Sequence, residues 1–239
     1  LHRLIRRQRQ MCIRDRALLP VRDQIQLLPA GMELAAAEQE LVSVVGRETI
    51  LRHAVEAYSG PADYLLMDCP PSMGLLTLNA LGAVREIFIP VMPHFLSLQG
   101  LSHLLESILL VYQRINRDLR VTGLLFCMYD GRTTLAGEIA RDIEEFFSRN
   151  RASETPWRHV RIFQTRIRGN IKLAESPSYG QTIYEYAPQC HGAADYAALA
   201  EEVEAMTERQ PGLPDKIEPA DEHVTCLLYT SDAADELDG

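Results

Sequence analysis

Short apolar runs alternate with segments of helical periodicity along the middle of the chain. The apolar runs predict fully buried strands at residues 64–68, 86–91, 121–128 and 160–165, and a polar–apolar alternation predicts a weaker strand at 24–29. Apolar residues at helical spacing predict helices at 33–45, 48–58, 75–84, 97–115, 133–147 and 193–206, with Ser97 as the cap of the fourth.

This alternation of strands and helices predicts the fold class. Continuous apolar strands separated by helices are typical of an α/β protein with a doubly wound, mostly parallel sheet and helices on both faces. In such sheets ligands bind beyond the carboxyl ends of the strands. The predicted strands end at residues 68–72, 91–94, 128–132 and 166–170, so we expect the functional residues there.

Composition narrows the class of protein. The 239 residues are 46% hydrophobic and 24% charged, which is typical of a globular chain, and no apolar run approaches the length of a membrane span. Five widely spaced cysteines without a C-x-x-C pair fit a reducing cytoplasm and argue against zinc. Cys69, at a strand end, is either a reactive thiol or, as we favour, a small buried apolar residue.

Lysine usage excludes one phosphate-binding motif. Of the 24 basic residues only Lys172 and Lys216 are lysines, and neither stands between Gly and Ser or Thr. A P-loop needs that arrangement to hold phosphates with backbone N–H groups and an ammonium. The sequence therefore contains no P-loop.

Charge divides the chain into three regions. Residues 1–22 carry seven arginines and one acid, whereas 208–239 carry nine acids and two basic residues. We predict a non-domain arm at 1–22, a nucleotide-binding α/β domain at 23–207 and a disordered acidic tail at 208–239. Residues 11–16 and 226–236 resemble translated sequencing adapters, and the alternative is a genuine basic arm and acidic tail.

Several motifs resemble those of one family. They are DCPPSMGLLTLNAL at 68–81, MYDGRT at 128–133 and NIKLAESPSYGQTIYEY at 170–186, in collinear order within residues 24–206. Together they resemble the ParA/Soj partition ATPases, P-loop NTPases related to MinD. The family's Walker A segment and first strand have no counterpart, so we expect an amino-terminally truncated fragment whose sheet lacks a central strand and which folds poorly.

The resemblance implies a site and partners. It implies ATP with Mg²⁺ at the strand ends, an ATP-dependent homodimer, non-specific DNA binding, a ParB-like centromere-binding partner, no membrane partner and a cytoplasmic, nucleoid-associated location. Asp68 matches the Walker B aspartate, catalytic and holding Mg²⁺ directly or through water. The implied nucleotide-binding residues are Asp68, Pro70, Pro71, Gly74, Met128 and Asp130.

A basic cluster at residues 149–172 is the candidate DNA-binding region, with a solvated face as the alternative. Arg168 stands one position before the place of a family arginine, which Gly169 occupies here. The predicted DNA-binding residues are Arg149, Arg151, Arg161, Arg166, Arg168 and Lys172.

The expected function is that of a fragment of a ParA-type ATPase that partitions chromosome or plasmid DNA, or positions another cargo. Without a P-loop we expect weak ATP binding and negligible hydrolysis by this chain. A natural P-loop-less module that binds DNA or a partner is the alternative. A septum-site or cellulose-synthesis ATPase is a third possibility, disfavoured by the match at 170–186.

Overall fold

A computed structural model describes residues 18–31, 33–58, 62–70, 72–150, 154–208 and 223–228. The chain forms two compact units that meet in sequence at Arg47 and Glu48. Most of the arm predicted at 1–22 and most of the tail predicted at 208–239 lie outside the described residues.

The first unit contains a short hairpin and a helix. Strand β1 (Leu19–Arg22) pairs antiparallel with β2 (Ile25–Leu27), and helix α1 spans Glu33–Leu41. β2 confirms the strand predicted at 24–29, whereas β1 lies in a stretch for which no strand was predicted. Every residue of the two strands is exposed, so the hairpin has no buried face of its own.

The second unit alternates strands and helices in the predicted order. A 3₁₀ turn (Arg47–Thr49) precedes its first helix. The elements are α2 (Ile50–Glu56), β3 (Tyr64–Cys69), α3 (Leu75–Ala83), β4 (Glu86–Val91), α4 (Phe95–Arg114), β5 (Arg120–Tyr129), α5 (Thr134–Arg149), β6 (Arg161–Arg168), α6 (Ile171–Glu175), a 3₁₀ turn (Ser176–Tyr179), α7 (Ile183–Tyr186), α8 (His191–Glu208) and β7 (His223–Leu228).

The strands of this unit form one parallel five-stranded sheet in the order β3-β7-β4-β5-β6. The crossovers from β3 to β4, β5 and β6 run in one direction across the sheet, and the return to β7 runs in the other. Right-handed crossovers therefore put α3, α4 and α5 on one face and α8 on the opposite face. This is the predicted doubly wound α/β architecture.

β7 corrects one expectation. The acidic tail was predicted to be disordered, but His223–Leu228 pairs with β3 on one side and with β4 on the other. The last strand of the described residues thus lies inside the sheet, which is separate from the expectation that the family's first strand is missing. The segment HVTCLL is apolar and partly β-branched, as an interior parallel strand requires, although the acidic residues around it dominate the composition of the region.

The core of the unit lies around β4 and β5. Ile87, Ile89 and Phe126 from these strands are fully buried and pack with Ile108 of α4 and Ile143 of α5. The buried side-chain amide of Asn116 makes two hydrogen bonds: its Nδ2 donates to the carbonyls of Leu81 and Val84 at 2.9 and 2.6 Å. This ties the end of α3 to the loop after α4.

Two local predictions were wrong. The run at 64–68 was predicted to be fully buried, but β3 is an outer strand and Leu66 is 63% exposed. An apolar run reports the tendency to be buried, and only the strand order shows which strands have neighbours on both sides. Helix α4 begins at Phe95 with His94 at the cap position, so Ser97 lies inside the helix and does not cap it.

Candidate functional site

The strands of the parallel sheet end together, at what we call the carboxyl end of the sheet. Asp68 lies at the end of β3, and its side chain is exposed. Within the part of the chain that the structure describes, its carboxylate has no hydrogen-bond or ion-pair partner. A carboxylate in this position is available to a cation, which is what the Walker B role requires.

The turn after β3 is anchored to α3. Thr77 Oγ1 donates to the carbonyl of Ser72 at 2.7 Å, and the N–H of Leu78 donates to the carbonyl of Gly74 at 3.0 Å. Gly74 is thus the residue at the start of α3, with an extended backbone. Pro70 is exposed beside Asp68, whereas Pro71 lies outside the described residues.

The end of β5 is a strained turn. Met128 has a backbone φ of 50°, in the left-handed region that non-glycine residues rarely adopt, and its side chain is 58% exposed. Such strain persists only where the surrounding structure holds it, and it is common at ligand sites. Met128 therefore lies at the carboxyl end of the sheet, as predicted.

Asp130 stabilises that turn by hydrogen bonds to Arg132. Its carboxylate accepts from Nε and Nη2 of Arg132, each at 2.9 Å, and from the N–H of Arg132 at 3.0 Å. These side-chain and backbone hydrogen bonds lower the pKa of Asp130 to about 2. The carboxylate of Asp130 is therefore ion-paired with Arg132, a contact within the turn that the sequence did not reveal.

At the end of β6, Arg168 forms an ion pair with Asp195. Its Nη2 lies 2.6 Å from Oδ1 of Asp195 on α8, and its N–H donates to Oδ2 at 3.0 Å. Burial acts to raise the pKa of Asp195, but the hydrogen bonds and charge of Arg168 outweigh it, so the pKa lies below its usual value. Arg168, predicted to contact DNA, thus joins β6 to α8 through this ion pair.

The segment at 170–186 follows this ion pair in sequence and is held by contacts among its own side chains. Glu175 accepts from Lys172 Nζ at 2.8 Å and from the Tyr186 hydroxyl at 2.9 Å, and the rings of Tyr179 and Tyr186 stack at 5.0 Å. The bond to Glu175 raises the pKa of both Lys172 and Tyr186. Asn170 begins the segment by accepting from the Lys172 N–H at 2.9 Å.

The predicted DNA-binding residues extend along the whole of β6. Arg168 and Lys172 lie at or near the carboxyl end of the sheet, whereas Arg161 begins β6, about 20 Å away along the strand, and lines one groove together with Arg166. Helix α5 runs back from the carboxyl end, so Arg149 at its last turn lies near Arg161. Arg151 lies outside the described residues.

Most of these basic side chains also have acidic partners. Arg149 is ion-paired with Glu145, Lys172 with Glu175 and Arg168 with Asp195. Arg166 lies 4.0 Å from a carboxylate oxygen of Glu144, and its guanidinium stacks on the ring of Tyr129 at 4.3 Å. The excess of basic residues counted at 149–172 is therefore reduced by acidic partners that lie outside that range.

The sequence did not single out a second group of arginines. Arg85, Arg114, Arg117 and Arg120 lie where β4 and β5 begin, at what we call the amino end of the sheet. Their separation of up to 35 positions hides them from a search for charge runs. The sequence signal that could have found them is that each arginine lies at or near the start of a predicted strand or the end of a predicted helix.

Two of the cysteines are close neighbours. Sγ of Cys69 lies 2.8 Å from Sγ of Cys226 on β7, and both side chains are buried, with Cys69 6% exposed. The bond from Cys226 lowers the pKa of Cys69, whereas the bond to Cys69 together with burial raises that of Cys226. The buried position confirms the favoured interpretation of Cys69.

Neither a metal cluster nor a membrane helix is found in the described ranges. No group of three or more His, Cys, Asp or Glu side chains is placed to hold a metal ion there. The same residues include no helix long and apolar enough to cross a bilayer. A divalent cation at Asp68 would thus need further ligands from a nucleotide or water, which is how Mg²⁺ is commonly bound.

Comparisons with known proteins show the family of the chain. Residues 4–121 match the AAA domain family. The chain is 39% identical over 183 residues to the sporulation initiation inhibitor protein Soj of Bacillus subtilis, covering 77% of this chain and 68% of that protein. The chain belongs to the ParA/Soj family.

Other members of the family are similarly related. The chromosome-partitioning ATPase Soj of Treponema pallidum is 38% identical, with 74% of this chain and 66% of that protein covered. The chromosome partitioning protein ParA of Myxococcus xanthus is 36% identical, with 75% and 59% covered. The chain thus spans about three fifths to two thirds of the length of these relatives.

Solved structures show the same architecture bound to nucleotide. Cobyrinic acid a,c-diamide synthase from Mycobacterium smegmatis superposes with a TM-score of 0.65 at 27% identity, covering 84% of this chain and 70% of that chain. A structure of that enzyme with bound ADP and magnesium has a TM-score of 0.64 at 28% identity, with the same coverage. Nucleotide and magnesium therefore bind in a related fold.

Proposed function

We propose that this chain is part of a ParA/Soj-type ATPase that partitions chromosome or plasmid DNA, or positions another cargo, through ATP-dependent dimerisation and non-specific DNA binding. The observation that carries the proposal is the exposed carboxylate of Asp68, without a partner among the described residues, at the carboxyl end of a parallel sheet in a chain of this family. A ParB-like centromere-binding protein is the proposed partner, and the cytoplasm, on the nucleoid, is the proposed location.

The division of labour in the site follows from the residues present. Asp68 would hold Mg²⁺ directly or through water, and the bound metal would neutralise charge on the phosphates. Gly74 fixes the start of α3, and the strained Met128 turn lies at the end of β5. Pro70, Pro71 and Asp130 complete the proposed nucleotide-binding set, with Asp130 acting through its turn because Arg132 occupies its carboxylate.

The residues present include a carboxylate that could hold Mg²⁺, Asp68, but no P-loop to bind the phosphates. No Gly-Lys-Ser or Gly-Lys-Thr occurs in the sequence, and Lys172, the one lysine of the described residues, is paired with Glu175. Phosphoryl transfer depends on positioning and charge neutralisation around the phosphates. We therefore propose that this chain binds ATP weakly and does not hydrolyse it at a measurable rate.

A second candidate function is a P-loop-less module that binds DNA or a protein partner without ATPase activity. It requires that the whole protein, like this sequence, contain no P-loop motif. The two candidates differ in one measurable property: the first requires nucleotide binding that depends on Mg²⁺ and on Asp68, whereas the second requires neither.

Calorimetric titration with ATP, in the presence and absence of Mg²⁺, tests the proposal. We expect weak binding that strengthens with Mg²⁺ in the wild-type chain and loses this Mg²⁺ dependence in Asp68→Asn. Asp63→Asn is the matched control, because Asp63 is an exposed aspartate that precedes the same strand at its other end. Tight binding, or equal Mg²⁺ dependence in Asp68→Asn, would contradict the proposed site.

A further inference from the structure

The amino end of the sheet brings together arginines that are far apart in sequence. Arg85 directly precedes β4 and Arg120 begins β5, and the N–H of Arg120 donates to the carbonyl of Arg85 at 2.8 Å. Arg114 ends α4, and Arg117 lies in the short loop between α4 and β5. We call Arg85, Arg114, Arg117 and Arg120 the amino-end arginine set.

Neutral groups hold two of these side chains in place. The guanidinium carbons of Arg117 and Arg120 lie 5.2 and 5.6 Å from the centre of the Tyr112 ring. Nη1 of Arg120 also donates to the carbonyls of Arg117 and Leu119, each at 2.9 Å. An aromatic face and carbonyl oxygens orient a guanidinium without cancelling its charge.

This arrangement differs from the basic residues at the carboxyl end. Arg132, Arg168 and Lys172 each lie within 2.9 Å of a carboxylate oxygen, so an incoming anion would have to displace that partner. Within the described ranges no member of the amino-end arginine set has an ion-pair partner. The acids nearest in sequence to this set are Asp118 and Glu86, and a carboxylate oxygen of Glu86 accepts from Thr122 Oγ1 at 3.1 Å.

We propose that the amino-end arginine set binds the phosphodiester backbone of nucleic acid. The proposal deepens the DNA-binding part of the proposed function and rests on it, while placing the contact on a surface other than the run at 149–172. Arg114, Arg117 and Arg120 are exposed, and Arg85 is half-buried beside them. The contact needs neither nucleotide nor the carboxyl end of the sheet.

The chemistry of the amino-end arginine set favours a polyanion of phosphate groups. Neighbouring strands lie about 4.8 Å apart, so the backbones of Arg85 and Arg120 lie side by side at the starts of β4 and β5. A planar guanidinium can contact two phosphate oxygens at once, and its preorganisation reduces the entropy lost on binding. An acidic polypeptide presents flexible, less regularly spaced carboxylates and is the competing ligand.

Fluorescence anisotropy with a short DNA duplex, at several salt concentrations and without ATP, tests this inference on the full chain. We expect Arg117→Gln/Arg120→Gln to weaken binding about tenfold and to reduce the slope of log affinity against log salt by about 2. Arg117→Lys/Arg120→Lys keeps both charges and should keep the slope. Arg114→Gln, at an exposed side chain for which no hydrogen bond or ion pair is found in the described residues, should reduce the slope by about 1 with little effect on folding.

A paired variant at the other end of the sheet separates the possible outcomes. If Arg166→Gln/Lys172→Gln lowers the salt slope and Arg117→Gln/Arg120→Gln does not, the amino-end site is wrong while DNA binding stands. If the wild-type chain shows no salt-dependent binding without ATP, this inference is wrong, and the same titration with ATP and Mg²⁺ separately tests the DNA binding of the proposed dimer. Competition by poly-glutamate as strong as that by DNA of equal charge would also overturn the inference.

Discussion

Arg168 and Asp195 form the main polar connection between the last long helix and the end of β6. One guanidinium nitrogen of Arg168 lies 2.6 Å from the carboxylate, and the backbone N–H of the same arginine donates to it at 3.0 Å. The side chain of Asp195 is only 10% exposed. The pair fixes the point at which the chain leaves β6 and enters the segment at 170–186.

Replacing Asp195 by asparagine should lower the free energy of unfolding by about 1 kcal/mol, because the neutral amide keeps an acceptor but loses the charge-assisted bonds. Urea denaturation at neutral pH measures the change. Asp142→Asn on α5 is the control, since Asp142 is exposed and has no partner in the described residues, and it should have little effect. Equal effects of the two variants would show that the ion pair contributes nothing.

The same pair predicts a pH dependence. The pKa of Asp195 is lower in the folded chain than the usual value of about 3.9, so the carboxylate adds stability above that pH and the contribution is lost as the pH falls through the folded pKa. The stability difference between the wild type and Asp195→Asn should therefore shrink in acid. Parallel urea titrations at neutral pH and near pH 3 test this, and a constant difference would refute it.

The sequence was sufficient for the order of elements but not for their neighbours. Apolar runs and helical spacing placed every strand from β3 to β6 and located Asp68 at a strand end. They could not show that β3 lies at the outside of the sheet or that His223–Leu228 pairs between β3 and β4. Strand order depends on contacts between distant segments, and no local pattern encodes it.

The basic residues illustrate the same limit at the level of the site. Counting charge along the sequence joined Arg149, Arg161 and Arg168 into one patch, whereas the strand between them separates the last two by its whole length. It also missed the partner of Arg168, because Asp195 is 27 residues away. Asp68 was found because its signal, a carboxylate after an apolar run, is local.

Glu202 on α8 caps an irregular part of β6. Its two carboxylate oxygens accept from the N–H groups of Gln164 and Thr165 at 2.8 and 3.0 Å, where the register between β5 and β6 is broken. Glu202→Ala leaves both N–H groups without this partner and should lower the free energy of unfolding by about 2 kcal/mol. Urea denaturation measures the loss.

Glu201→Ala is the matched control for Glu202. Glu201 is the neighbouring exposed glutamate on the same helix, and no hydrogen bond or ion pair is found for it among the described residues. Its replacement should change the stability by less than about 0.5 kcal/mol. If the two alanine variants unfold at the same urea concentration, the Glu202 carboxylate does not stabilise the irregular part of β6.

Cys127 on β5 should react slowly with alkylating reagents. Burial raises the pKa of its thiol from 9.0 to about 11, so at pH 8 the thiolate is about a hundredfold rarer than in an ordinary thiol. Iodoacetamide labelling followed by peptide mass spectrometry gives the rate in the folded chain and in urea. We expect the rate at Cys127 to rise steeply on unfolding and to increase with pH up to about 11. A rate that does not change on unfolding would contradict the burial.

Gly123 on β5 is a position where even one methyl group does not fit. A Cβ there would lie 2.5 Å from Cε2 of Phe163 and 2.9 Å from Cδ1 of Phe88, two rings that meet edge to face at 5.4 Å. Gly123→Ala should therefore destabilise the chain by about 1–3 kcal/mol, because both rings must leave their positions. Gly137→Ala in α5, where a Cβ meets nothing within 4 Å, should instead stabilise by about 0.5–1 kcal/mol through helix propensity. Thermal unfolding of the two variants measures both changes, and a stabilised Gly123→Ala would show that β5, β6 and the rings between them do not pack as described.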